Sequence, residues 1–233
     1  MKEIVFNSPG GRIEGKYYQA ENPNSPAALI LHPHSLHGGT MNNKVVHTIA
    51  NTFIRNKFSV LCFNFRGVGK SSGVFDHGVG ELLDAATALD WLQNNNPSAS
   101  TYWVAGFSFG AWIGLQLLMR RPEIGGFVAV APPVSLYDFN FISPCPIHGM
   151  IIQGEADKIV PEESVYKFYE KLDKQRSSEI DYVVLNGADH FFKNKLNALD
   201  NTLNSYLEDN AKHEFSPKKH KRDRRRRQNA TKE

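Results

Sequence analysis

The 233-residue sequence predicts an α/β fold: a doubly wound, mostly parallel sheet of about eight strands with helices on both faces. Three observations carry this. Short apolar runs alternate with segments whose apolar residues recur at helical spacing, and the first two strands read as a hairpin. The stretch Thr101 to Trp112, T-Y-W-V-A-G-F-S-F-G-A-W, runs from an apolar strand through a glycine-flanked serine straight into an apolar helix.

Lys2 to Asn7 and Arg12 to Tyr18 alternate apolar and polar residues around Ser8, Pro9, Gly10 and Gly11, which predicts an edge hairpin. Ala27 to Leu31 and Ser59 to Phe65 are strands covered on both faces, and between them Val45, Val46, Ile49, Phe53 and Ile54 mark a crossover helix. A helix over Gly80 to Asn94 ends in three asparagines and Pro97. The helix over Ala111 to Met119 is apolar nearly all round and so deeply buried, and Pro122 follows it. Strands follow over Phe127 to Ala131, His148 to Ile152 and Tyr182 to Leu185. A helix opened by Pro161 carries Val165, Phe168, Tyr169 and Leu172, and the last helix carries Leu196, Leu199, Leu203 and Leu207.

The apolar fraction of 41 % and the length suit one substantial core. The formal charge of +3 is unevenly spread. Residues 1–211 hold 17 Lys and Arg against 21 Asp and Glu, a net of −4, whereas residues 212–233 hold 10 against 3, a net of +7. The expectation is a domain over 1–211 and a disordered basic tail over 212–233. The tail reads as a solubilising extension, or as a weak electrostatic contact for nucleic acid or anionic lipid. No apolar run approaches the roughly 20 residues of a membrane span, and the first residues lack a secretory pattern, so a cytoplasmic location is expected. Cys62 and Cys145 suggest neither a disulfide framework nor a thiolate metal site, and both are expected to be reduced and inert.

N-F-R-G-V-G-K-S-S-G contains a Gly-Lys-Ser that invites comparison with a phosphate-cradling loop. That loop needs a glycine five positions earlier, and the residue there is Asn64. Nucleotide hydrolysis is therefore excluded, and Gly67, Gly69 and Gly73 are expected to turn the chain back across the sheet edge. His32, His34 and His37 form H-x-H-x-x-H without a carboxylate or thiolate beside them, so no metal site is assigned, and no cofactor site either.

Gly106 and Gly110 flank Ser108 where a Cβ would collide with crossing backbone, the requirement of a nucleophile elbow. A serine hydroxyl is a weak nucleophile at neutral pH; it needs a base, and the base an orienting acid. In a doubly wound sheet, residues just past the carboxyl ends of the strands converge on one crevice. Ser108, Asp157 and His190 all stand at such positions, in the chain order Ser, Asp, His. Asp138, Glu155, Asp181 and Asp189 compete for the acid role, with Asp138 the serious rival. Asp157 is preferred because D-K-I-V-P lies between a strand and a proline-initiated helix. His32, His37, His47, His77 and His148 read as structural.

At this point the sequence resembles the α/β-hydrolase superfamily, in particular its small, lidless bacterial serine hydrolases, esterase-like and dienelactone-hydrolase-like proteins. The resemblance spans Asn7 to Leu207. It rests on His32 to Met41, Asn64 to Ser71, Phe75 to Glu81, Ala105 to Ala111 and Gly187 to Phe192. It implies an oxyanion hole built from one amide after the third strand and one after the nucleophile. Pro33 stands where the family usually has glycine and has no N–H, so the implied donors are the backbone amides of His34 and Phe109. The resemblance implies a serine hydrolase but no particular substrate; with the triad read from the residues, the expected function is cleavage of small to medium carboxylic esters through an acyl-enzyme on Ser108. A peptidase or thioesterase using the same triad, or a binding protein that kept the fold without the reaction, are the alternatives. The short link between Ala131 and Ile147 leaves no room for a helical lid, so a small acyl substrate is expected in an open crevice lined by Leu36, Phe107, Phe109, Phe139 and Phe141.

Overall fold

The computed structural model describes residues 1–142, 144–175 and 179–214, the last four by backbone alone. Strands β1 (Lys2–Ser8) and β2 (Gly11–Tyr18) form the predicted hairpin, closing where Ser8 faces Gly11, whose φ of +111° suits glycine. β2 then pairs antiparallel with β4 (Ser59–Phe63). From there the sheet is parallel, through β3 (Ala27–Leu31), β5 (Tyr102–Phe107), β6 (Ile124–Val130), β7 (Gly149–Gly154) and β8 (Ile180–Leu185). The strand order is β1-β2-β4-β3-β5-β6-β7-β8.

Helices α2 (Val79–Asn95), α3 (Phe109–Leu118) and α4 (Glu162–Asp173) pack one face, where Leu89, Ile113, Leu117 and Phe168 meet Leu29, Leu31 and Phe127. Helices α1 (Lys44–Arg55) and α5 (Leu196–Glu214) pack the other, where Ile49, Phe53, Leu199 and Leu203 meet Ile30, Trp103 and Ile152. The residues leaving β3 and β5 therefore pass to opposite faces. That divergence between adjacent parallel strands opens a crevice at their carboxyl ends.

Asn43 starts α1 by accepting the Val45 and Val46 amides on its side chain. Eight of the ten residues of α3 are buried, as its all-round apolar sequence predicts. α5 continues through 212–214, so the domain boundary expected at 211 falls within it; the rest of the expected tail lies outside the described residues. Among its described residues, the β6–β7 connection holds a single turn of 3-10 helix, Asn140–Ile142, and no lid helix. No helix among the described residues is long and apolar enough to cross a membrane.

The glycine-rich loop after β4 folds back over the edge of β2, with Gly67, Gly69 and Gly73 at φ of +73°, +58° and +85°. Its Lys70 amide donates to the Glu14 carboxylate (2.7 Å) and its Ser72 amide to the Arg12 carbonyl (2.7 Å). Arg66 anchors the loop from beneath, with Nε and Nη2 each 2.9 Å from the fully buried Asp84 carboxylate on α2. Cys62 and Cys145 are buried and not joined by a disulfide. Burial pushes the Cys62 thiol up to about 12, against a smaller opposing pull from Lys16.

Candidate active site

Ser108 joins β5 to α3 at φ +52° and ψ −119°, a backbone conformation that costs a non-glycine residue on the order of 1–3 kcal/mol. The surroundings enforce it. The Ser108 amide donates to the Val130 carbonyl (2.9 Å), and its carbonyl accepts from Ala111 (2.8 Å). A Cβ on Gly106 would run into the Gly110 carbonyl. One on Gly110 would run into the Leu31 carbonyl and come within 2.6 Å of the carbonyl of His32. The two glycines let α3 start hard against the ends of β3 and β5 and leave the hydroxyl at the crevice.

His190 lies beyond β8 with Nε2 3.1 Å from the Ser108 hydroxyl. Its Nδ1 donates to Asp157 Oδ2 at 2.7 Å, which leaves Nε2 as the lone-pair nitrogen facing the serine. The ring is held between Phe107 (centroids 5.2 Å apart) and Phe191 (5.3 Å). Asp157, beyond β7, accepts from the Ile159 and Val160 amides on Oδ1, both at 2.8 Å. Burial alone would raise its carboxyl; the hydrogen bonds from His190, Val160 and Ile159 outweigh burial and hold it below the usual carboxylate range.

On the opposite side of Ser108, the His34 ring packs 5.1 Å from that of Phe109 and stacks on His37 at 4.5 Å. Phe109 is the first residue of α3, where no preceding turn accepts its N–H. The His34 amide donates no hydrogen bond among the described residues. Burial, and then the charges of His37 and His77, push the His34 imidazole down from its ordinary pKa.

The rival acid is elsewhere: the exposed Asp138 caps its own turn by accepting the Asn140 amide. Both ring nitrogens of His32 are committed to backbone groups, and among the described residues no three His, Cys, Asp or Glu side chains are placed to hold a metal.

The expected crevice lining needs correction. Phe107, Phe109 and Phe139 are buried; Phe107 backs His190, and Phe139 packs on Phe168 in the core. The half-exposed rings beside the elbow are instead Phe75, Trp112 and Tyr137. Phe75 lies 4.7 Å from His34 and 5.8 Å from Phe109, and Trp112 stacks on Tyr137 at 4.4 Å. The indole N–H of Trp112 donates to the Asp138 carbonyl, tying α3 to the β6–β7 connection.

Gln153 was not foreseen. It is fully buried near the end of β7, and its amide donates to Asp157 Oδ2 (3.1 Å) and the Val160 carbonyl (2.9 Å), bracing the carboxylate from behind. A lone amide closing the apolar run G-M-I-I-Q-G was the available signal.

Comparison with known proteins identifies the fold. A family model described as the alpha/beta hydrolase fold matches residues 35–149. A crystal structure of a protein of unknown function from Agrobacterium tumefaciens, assigned as an α/β hydrolase, is 50 % identical, with a TM-score of 0.89 over 93 % of this chain and 99 % of that one. The chain belongs to the α/β-hydrolase family. This α/β hydrolase is also similar to a serine hydrolase without a lid from Xanthomonas campestris, at 33 % identity and TM-score 0.80 over 89 % and 94 % of the two chains. An uncharacterized protein of Rickettsia prowazekii is 53 % identical to it over 211 residues, 89 % of each chain.

Proposed function

We propose that this α/β hydrolase cleaves small to medium carboxylic esters by acyl transfer through Ser108. The observation that carries the reading is the continuous hydrogen-bonded line from the Ser108 hydroxyl through His190 to Asp157, with the imidazole tautomer fixed by the carboxylate. The Ser108 oxygen bonds to the acyl carbon as its proton passes to His190 Nε2. The carbonyl oxygen takes up negative charge, which the His34 and Phe109 amides stabilise. Collapse breaks the ester bond, and the alcohol leaves with the proton from His190. Water, deprotonated by the same nitrogen, then releases the acid and restores the hydroxyl. Asp157 keeps Nδ1 protonated and stabilises the imidazolium.

The short β6–β7 connection and the aromatic side chains at the crevice favour compact acyl groups over long chains. A fluorophosphonate probe tests the chemistry: it labels the protein, and Ser108→Ala abolishes the label. Labelling that survives this substitution removes the serine mechanism. Hydrolysis of p-nitrophenyl acetate is faster than that of the palmitate; the reverse order would require a deep acyl channel.

A further inference from the structure

We infer that His32 is a positioning residue that aims the His34 amide at the oxyanion. Residue 32 ends the run of β3 into the crevice, one position before a proline that has no N–H of its own to offer. The ring is entirely buried and edge-on to Phe65, with centroids 4.6 Å apart. Its Nε2 accepts the Phe65 amide at 3.0 Å, so the proton is on Nδ1. Nδ1 lies 2.6 Å from the Pro33 carbonyl and donates to it.

That carbonyl belongs to the same peptide unit as the His34 N–H. In a trans peptide the C=O and N–H point in opposite directions, so an imidazole that holds the oxygen also sets where the hydrogen points. The downstream side is held independently: the His34 carbonyl accepts the His37 and Gly39 amides at 3.1 and 3.0 Å. Gly39 lies so close to the Pro33 carbonyl that a Cβ there would overlap it. With both ends fixed, the donor pays no reorganisation when charge develops on the substrate. Burial, opposed by the smaller effect of the Pro33 hydrogen bond, lowers the His32 pKa from 6.5 to about 4, so the ring keeps this neutral tautomer throughout the neutral range.

The inference rests on the proposed acyl transfer, and two substitutions in the full chain separate them. An Asn amide nitrogen can stand where Nδ1 stands and keep the bond to Pro33. A Gln amide oxygen can stand where Nε2 stands and keep the bond from Phe65 while losing Pro33. The fluorophosphonate labelling rate and the kcat on p-nitrophenyl acetate are expected to fall about 10- to 100-fold in His32→Gln, with KM nearly unchanged. His32→Asn is expected to stay within about 3-fold of wild type even where its melting temperature is lower. Wild-type labelling in His32→Gln, or losses in both variants that track thermal stability, would overturn the positioning role. A wild-type protein that does not label removes the serine mechanism, and the inference with it. Should neither variant fold, long-range proton–nitrogen NMR of the wild type decides: Nδ1-protonated His32 supports the inference and the Nε2-protonated form defeats it.

Discussion

Acidification from pH 7 to 4.5 is expected to destabilise the fold by roughly 2 kcal/mol through His32 alone. In the unfolded chain its imidazole titrates near 6.5; in the fold, burial among β3, β4 and Phe65 holds it at about 4. The unfolded state therefore takes up the proton first. The stabilisation is complete above the unfolded pKa and is lost as the pH falls toward the folded one, by about 1.4 kcal/mol per pH unit in between. The whole window amounts to roughly 3 kcal/mol, a large part of the 5–15 kcal/mol that holds a typical domain together. Asp157, held below the usual carboxylate range, also favours folding at higher pH, but its effect is lost below its ordinary 3.8. His34, whose pKa is also lowered, remains in both proteins of a paired comparison. Urea unfolding of wild type and His32→Gln at pH 7, 5.5 and 4.5 reads the difference in slope, free of any constant loss caused by the substitution. Parallel slopes would mean that the imidazole accepts a proton in place, and that its burial does not exclude charge.

Two further substitutions probe the site's architecture. Asp157→Asn removes the acceptor that fixes the His190 tautomer and is expected to lower kcat by about four orders of magnitude, while circular dichroism and oligomeric state are retained; a loss under tenfold would point to another acid. Gly110→Ala forces a methyl against the Leu31 and His32 carbonyls and should cost about 1–3 kcal/mol, together with most of the turnover. Gly114→Ala, one turn on, meets side-chain methyls and no backbone, Val104 Cγ2 at 3.1 Å and Leu31 Cδ1 at 3.5 Å, and gains helix propensity, so its melting temperature should stay near that of wild type. Similar losses for both would argue against close packing of the elbow on β3.

The parts of this molecule legible in the sequence are those written in local patterns. Continuous apolar runs marked the buried parallel strands, helical spacing marked α1, α4 and α5, and the two glycines around Ser108 marked the elbow. The positions of Asp157 and His190 followed from their place after strands. What stayed hidden depends on partners distant in sequence. Gly125 and Gly126 resemble a turn, yet β6 begins at Ile124, because Gly126 lies in register with Trp103 and leaves space for its indole. Gly149 does the same for the Phe127 ring. Phe107 and Phe109 flank Ser108 in sequence but turn inward on opposite faces of the sheet, while the rings beside the crevice come from three separate segments. No spacing rule joins Phe75, Trp112 and Tyr137.

The seclusion of the two sulfur atoms has a practical side. Cys62 is enclosed within the central sheet with almost no thiolate at neutral pH, and the Cys145 thiol is turned inward toward the Ile147 carbonyl at 3.3 Å. Maleimide or iodoacetamide should therefore modify the folded enzyme slowly, and reductant can be left out of its buffers. A rapid adduct formed with an electrophilic inhibitor can then be ascribed to a nucleophile other than sulfur without first replacing a cysteine.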